Sequence, residues 1–172
     1  MIAYILITLG FFMRLIPHVP NIVPIAAIVI FAGAYLDKRI VPWLPLAIMA
    51  LSDLIIGVHQ TMFFTWGAFI LIGFMATRLK DNRTMLNMFG GTVLAAIAFF
   101  IISNFGAWLV MKEYPLTANG LFVCYVRAIP FFRNALVSNV VFIFVFSGVY
   151  EFAKKHVTGS NLENVLLAEH AR

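Results

Sequence analysis

Charge is scarce in this chain. Of its 172 residues only 11% are Asp, Glu, Lys or Arg, against 63% hydrophobic, and the mean hydropathy is +0.99. A soluble domain of this size needs far more polar surface to cover its core, so the composition leaves an integral membrane protein as the fitting class. Cysteine is nearly absent too. Cys124 stands alone, which excludes an internal disulfide and a multi-cysteine metal site. A nucleotide-binding loop is missing, since neither Gly90-Gly91 nor any other glycine group is followed by the Gly-Lys-Ser/Thr of a P-loop. Any ATP-driven step must therefore come from another chain, and with no catalytic motif the chain reads as a non-enzyme. The opening Met-Ile-Ala-Tyr-Ile-Leu lacks the basic start and small-residue cleavage site of a secretory signal, so it reads as a mature helix.

What is present is a series of apolar runs, at about 2–16, 22–36, 41–58, 61–77, 86–111 and 128–153, to be set against the roughly 20 residues that a straight span needs. The first two are short and are separated by Ile-Pro-His-Val-Pro-Asn, whose prolines bar a continuous helix. They form either two short spans or a re-entrant hairpin. The reading is an all-α, six-helix transmembrane bundle over 1–155 with a polar tail over 156–172.

The net charge of +5 is distributed between the apolar runs, as expected of charges that orient spans rather than bind nucleic acid. Asp37-Lys38-Arg39, the Arg78–Arg83 loop and Lys154-Lys155 fall on one face under a six-span count. The positive-inside rule makes that face cytoplasmic, with both termini inside, in a multi-pass inner-membrane protein. Small residues, including Gly90-Gly91 and the Gly91/Ala95 pair, have the small-xxx-small spacing used for helix contact in lipid. They serve packing within the chain or docking of a partner.

With this orientation, Arg14, His18, Asn21, Asp53, His59, Asn104, Trp108, Arg133, Asn134 and Asn139 all fall in or beside the outer half of the bilayer. Polar groups are costly in hydrocarbon, and such a cluster points to an outward-facing pocket. Asp53 needs a cation, several donors or water, and Arg14 and Arg133 lie at similar depth on other helices. The competing interpretation is a buried ion pair that only fixes helix arrangement. Asn104 and Trp108 share a helix face at i,i+4, suited to a small polar or aromatic ligand. Pro130 is expected to define the start of the last helix, on which Asn134 and Ser138 share a face.

The segment 113–127, with Cys124 and Tyr125, is expected to lie on the outer surface or dip in as a lid. Cys124, His18 and His59 are the residues a transition metal or metal-containing cofactor would use, although no paired ligand spacing exists. A lone cysteine in apolar surroundings is usually a packing residue. A Cys-His-Asp nucleophilic set from Cys124, a histidine and Asp53 would need geometry to make it real.

The strings Arg14-Leu-Ile-Pro-His-Val-Pro-Asn21, Leu51-Ser-Asp-Leu-Ile-Ile-Gly-Val-His59, Ser103-Asn-Phe-Gly-Ala-Trp108, Tyr114-Pro, Gly120-Leu-Phe-Val-Cys-Tyr125 and Ala128-Ile-Pro-Phe-Phe-Arg-Asn134 resemble an uncharacterised family of small bacterial membrane proteins. That family is itself similar to the substrate-binding S components of energy-coupling-factor (ECF) vitamin transporters. The resemblance implies a six-helix bundle that captures a vitamin-like micronutrient from outside and docks on a transmembrane coupling subunit driven by ATPases. Solitary relatives for cobalamin include ones with a cysteine on cobalt, which implies a cobalamin-type ligand as one option. The first helix departs from the S-component docking motif, since Ala3 is followed at the fourth position by Ile7. Two rival functions are an assembly subunit of a larger membrane complex and a membrane enzyme using Cys124 thiol chemistry on a bound cofactor.

Overall fold

The computed structural model describes residues 2–15 and 24–158. Among them the chain is all-helical. The helices are α1 (Ile2–Leu15), α2 (Ile25–Tyr35), α3 (Leu44–Ile56), α4 (Met62–Ala76, continued by a tight turn over Thr77–Lys80), α5 (Met85–Val110) and α6 (Ala118–Thr158). Three stretches, Met62–Lys80, Met85–Val110 and Ala118–His156, are long and apolar enough to cross a membrane, whereas α1, α2 and α3 are shorter apolar helices. The six helices expected from the apolar runs are present, three of them long enough to span and three short, including the first two that the sequence marked as short.

The shortest helix occupies the centre. Residues Ile25 to Ala34 of α2 are all buried, and α2 touches each of the other five helices. A helix that is apolar all round belongs inside a protein rather than at a one-sided surface. At 11 residues it is about 16 Å long, roughly half the hydrocarbon thickness. Non-spanning backbone at membrane depth is tolerable where protein encloses it. The outer helices turn their apolar side chains the other way: Leu54, Leu86 and Phe63 are 77%, 76% and 71% exposed.

Close backbone approach surrounds α2. A Cβ on Gly33 would collide with the Ala76 carbonyl of α4, and one on Gly73 would lie 2.7 Å from Pro42 Cα. On the same ring of helices, Gly91 packs toward Ile30 and Leu79, while Gly90 faces open space. The Gly91/Ala95 pair thus serves packing within the chain, with Ala95 buried.

The basic loops gather at one end of the bundle. Lys38 Nζ pairs with Asp81 Oδ2 at 2.6 Å, and Lys80 Nζ donates to the Tyr35 carbonyl at 3.4 Å. Tyr35 Oη donates to Glu151 Oε1 at 3.0 Å, and the Arg83 guanidinium lies over the Tyr35 ring, 5.6 Å from its centroid. The α2 terminus, the 77–83 turn and the second half of α6 are joined there. The α3–α4 turn and the end of α5 form the opposite end.

The last helix begins earlier than expected. Pro130 lies inside α6 and does not start it, so residues 118–127 are its first turns rather than a separate lid. Thr117 supplies the missing start, because its Oγ1 accepts the Gly120 N–H at 3.1 Å, as an N-cap does. Pro130 removes one donor for the carbonyl a turn earlier. Its ring is on an exposed side of α6, and membrane helices accommodate such prolines.

The packing around α2 generates a paired expectation. Gly33→Ala, which drives a methyl into backbone, destabilises the purified protein by about 1–3 kcal/mol, while Gly90→Ala leaves stability unchanged or slightly raises it. Thermal unfolding of the two variants in detergent measures the difference.

Candidate functional site

A cavity of about 340 Å³ opens toward the α3–α4 turn, bounded by all six helices and that turn. Its polar lining comprises Arg14, His59, Thr61, Thr65, Ser103, Asn104 and Asn139, and its aromatic lining is Phe69, Phe99, Phe100, Phe131 and Phe132. The volume lies at the lower end of the roughly 300–1,000 Å³ typical of small-molecule sites.

Asp53 is behind the cavity, not in its lining. It is 1% exposed, and both oxygens are engaged. Oδ1 receives Arg14 Nη2 at 2.6 Å and Oδ2 receives Trp66 Nε1 at 2.8 Å. His59 Nε2 stands 3.6 Å from the same Oδ2, an ion pair when the imidazole is protonated. Ser52, adjacent to Asp53, accepts Arg14 Nε at 2.6 Å and passes its own proton to the Met49 carbonyl at 2.9 Å. A carboxylate this deep demands such a set of donors. The consequence is that α1, α3 and α4 are pinned together and the guanidinium is held at the cavity edge.

Asn139 has a different task. Its Oδ1 accepts the Ala27 N–H at 2.8 Å, and its Nδ2 donates to the Ala135 carbonyl at 2.7 Å. The residue that opens α2, Pro24, provides no side-chain cap, so a side chain from α6 satisfies the orphan donor that Ala27 would otherwise bury.

On α5, Asn104 Nδ2 donates to the Phe100 carbonyl at 2.8 Å and Ser103 Oγ to the Phe99 carbonyl at 2.6 Å. Ser103 spends its one donor and Asn104 one of its two on their own helix, and both keep oxygen lone pairs available to the cavity. Thr65 does the same on α4, donating to the Met62 carbonyl at 2.9 Å.

Several other expected site residues brace the wall. Trp108 Nε1 donates to the Pro115 carbonyl at 2.9 Å, and Tyr125 Oη to the Ile101 carbonyl at 2.7 Å. Cys124 is buried, with Sγ 3.6 Å from the Asn104 carbonyl oxygen. None of these three lines the cavity, but they bind the start of α6 to α5. The Tyr125 ring lies 5.4 Å from that of Phe100, which lies 4.7 Å from Phe132. Cys124 has neither His59 nor Asp53 among its hydrogen-bond partners, and the other histidine of the Cys-His-Asp set, His18, lies outside the described residues. Among the described residues no three metal-ligating side chains cluster. His18 and Asn21 lie outside the described residues.

Arg133 is exposed and Asn134 half-buried, and neither borders the cavity. Helix phase explains it. They precede Asn139 by six and five positions, which sets them about 120° and 140° around the helix from it. Phe132 and Ala135, seven and four positions back, return to the cavity face. Sequence reasoning missed the phenylalanine wall, because an aromatic in an apolar helix reads equally as lipid-facing or packed. It also missed Ser52 and Trp66. The adjacency of Ser52 to Asp53 offered a hint, whereas Trp66 offered none.

Two substitutions separate pinning from binding. Trp66→Phe strips one donor from buried Asp53 and Asn139→Leu strips the α2 cap. Each lowers unfolding stability by about 1–3 kcal/mol, read by chemical or thermal unfolding in detergent, whereas Arg133→Gln leaves stability within about 0.5 kcal/mol.

No curated protein and no solved structure matches the chain. A family model matches residues 1–162, nearly the whole sequence, and its description is "Family of unknown function (DUF6580)". A chain with three apolar helices of spanning length, a pinned arginine and a phenylalanine-walled cavity thus belongs to the family of unknown function DUF6580.

Proposed function

We propose that this protein is a multi-pass membrane protein of the bacterial inner membrane that captures a small vitamin-like molecule and supports its uptake, in the manner of S components. The observation that carries this reading is the cavity itself. It is an open, partly polar chamber beside a buried Asp53 carboxylate and an Ala27 amide that are themselves satisfied by protein. A chain that needed Arg14 and Asp53 only as a structural pin would gain nothing from leaving 340 Å³ open beside them, because unfilled volume sacrifices packing.

The orientation follows from charge. The end that gathers Lys38, Lys80, Arg83 and the last turns of α6 is cytoplasmic by the positive-inside rule, so the cavity opens outward. Transport energy, where used, comes from a partner such as an ECF-type coupling subunit with its ATPases. The cavity suits a compound of one or two rings.

Screening purified protein against B vitamins and their precursors by thermal shift and native mass spectrometry tests the reading. At least one compound stabilises the wild type, and Ala107→Phe, which fills the cavity from α5, abolishes that stabilisation while the variant still folds. A stable stoichiometric protein partner in mild detergent, with no compound bound, would instead favour an assembly subunit.

A further inference from the structure

The cavity has a chemical polarity that narrows its ligand. Its lining contains Arg14 and His59 but no aspartate or glutamate. Arg14 commits Nε to Ser52 and one Nη2 proton to Asp53. A guanidinium carries five N–H donors, so three have no partner among the described residues. The same region holds the N-terminal turn of α2, since Ile25 and Ala26 both border the cavity. Asn139 takes the Ala27 N–H and the Pro24 carbonyl takes that of Ile28. The amides of Ile25 and Ala26 have no acceptor among the described residues. A helix N-terminus carries partial positive charge and free amides, and it favours an anion. A fixed cation and a helix N-terminus thus converge where, among the described residues, no side-chain carboxylate lines the wall.

The α5 wall has the complementary character. Ser103 has spent its one donor on the Phe99 carbonyl and Asn104 one of its two on the Phe100 carbonyl, and both keep acceptor oxygen without a partner among the described residues. Phenylalanine rings complete the surface, Phe100 and Phe132 packing tilted at 4.7 Å and Phe69 and Phe99 at 4.8 Å. Flat, apolar walls of this kind hold a planar ring by offset or edge contact.

Resting on the reading of this cavity as a ligand site, we infer that its ligand is a small planar monoanion. The class is an aromatic or heteroaromatic carboxylic acid with a hydrogen-bond donor on its far edge. The carboxylate meets Arg14 and the α2 N-terminus, the ring sits among the phenylalanines, and the donor meets Asn104 Oδ1. Asp53 lies behind the guanidinium and both its oxygens are engaged, so it orients Arg14 without occupying the space the carboxylate needs.

The test uses matched acids and carboxamides: benzoate and benzamide, 4-aminobenzoate and 4-aminobenzamide, pyridine-3-carboxylate and its amide. Binding to the purified full chain is read by thermal shift and equilibrium titration. Each acid binds about tenfold or more tightly than its amide, the difference between a charge-assisted and a neutral hydrogen-bond set. Asn104→Ala weakens 4-aminobenzoate about fivefold and leaves benzoate, which lacks the amine, unchanged. Amides that bind as well as or better than their acids overturn the anion assignment while leaving the cavity a ligand site. If no member of any pair binds, and the vitamin screen does not distinguish wild type from Ala107→Phe, the reading of the cavity as a ligand site fails as well.

Discussion

The contact on which the rest depends is the pair between Arg14 and Asp53. A carboxylate at 2% side-chain exposure in a chain this apolar is untenable alone, since an isolated ion there costs several kcal/mol after every relaxation. The fold answers with a guanidinium from α1, an indole N–H from α4 and a serine that receives the second guanidinium edge. Three helices are thereby locked in register, and the arginine is held at the cavity edge. The pair is mutually satisfied on one side, and on the other three guanidinium N–H groups have no partner among the described residues.

Around that pin the architecture is an inside-out solution to a short central helix. Helix α2 has no polar face, so the five surrounding helices must cover it completely. Its N-terminus is then the difficult point, as orphan amides in an apolar bundle have no water to turn to. Asn139 meets one of them from α6, and the cavity lies beside Ile25 and Ala26. This cavity thus lies where the central helix presents the positive end of its backbone.

Much of this was legible in the sequence, and the limits are physical. Hydropathy located all six helices, because burial in lipid or protein selects the same apolar runs. It could not say which helix was central, since α2 and a lipid-facing span have the same composition. Asp53, Arg14, His59, Asn104 and Asn139 stood out as costly in hydrocarbon and are brought to one end of the bundle. Arg133 and Asn134 stood out equally but turn away, and depth alone carries no information about helix phase. The start of α6 was misplaced because Pro130 is a strong helix-stop signal on its own. The Thr117 cap that overrides it was hidden among Pro115 and the Asn119-Gly120 pair, which read as turn. The five phenylalanines of the cavity wall carried no signal, being indistinguishable in sequence from the thirteen others among the chain's 18.

A double-mutant cycle at Arg14 and Asp53 measures the pin most directly. Arg14→Met, Asp53→Leu and the double variant are compared by unfolding in detergent. Each single substitution should cost about 3 kcal/mol or more, because it strands a buried partner. The double should cost clearly less than the sum, with a coupling of about 1–3 kcal/mol. Additive losses, or a negligible effect of either single change, would mean that the two residues do not hold each other and that the cavity is not organised by their contact.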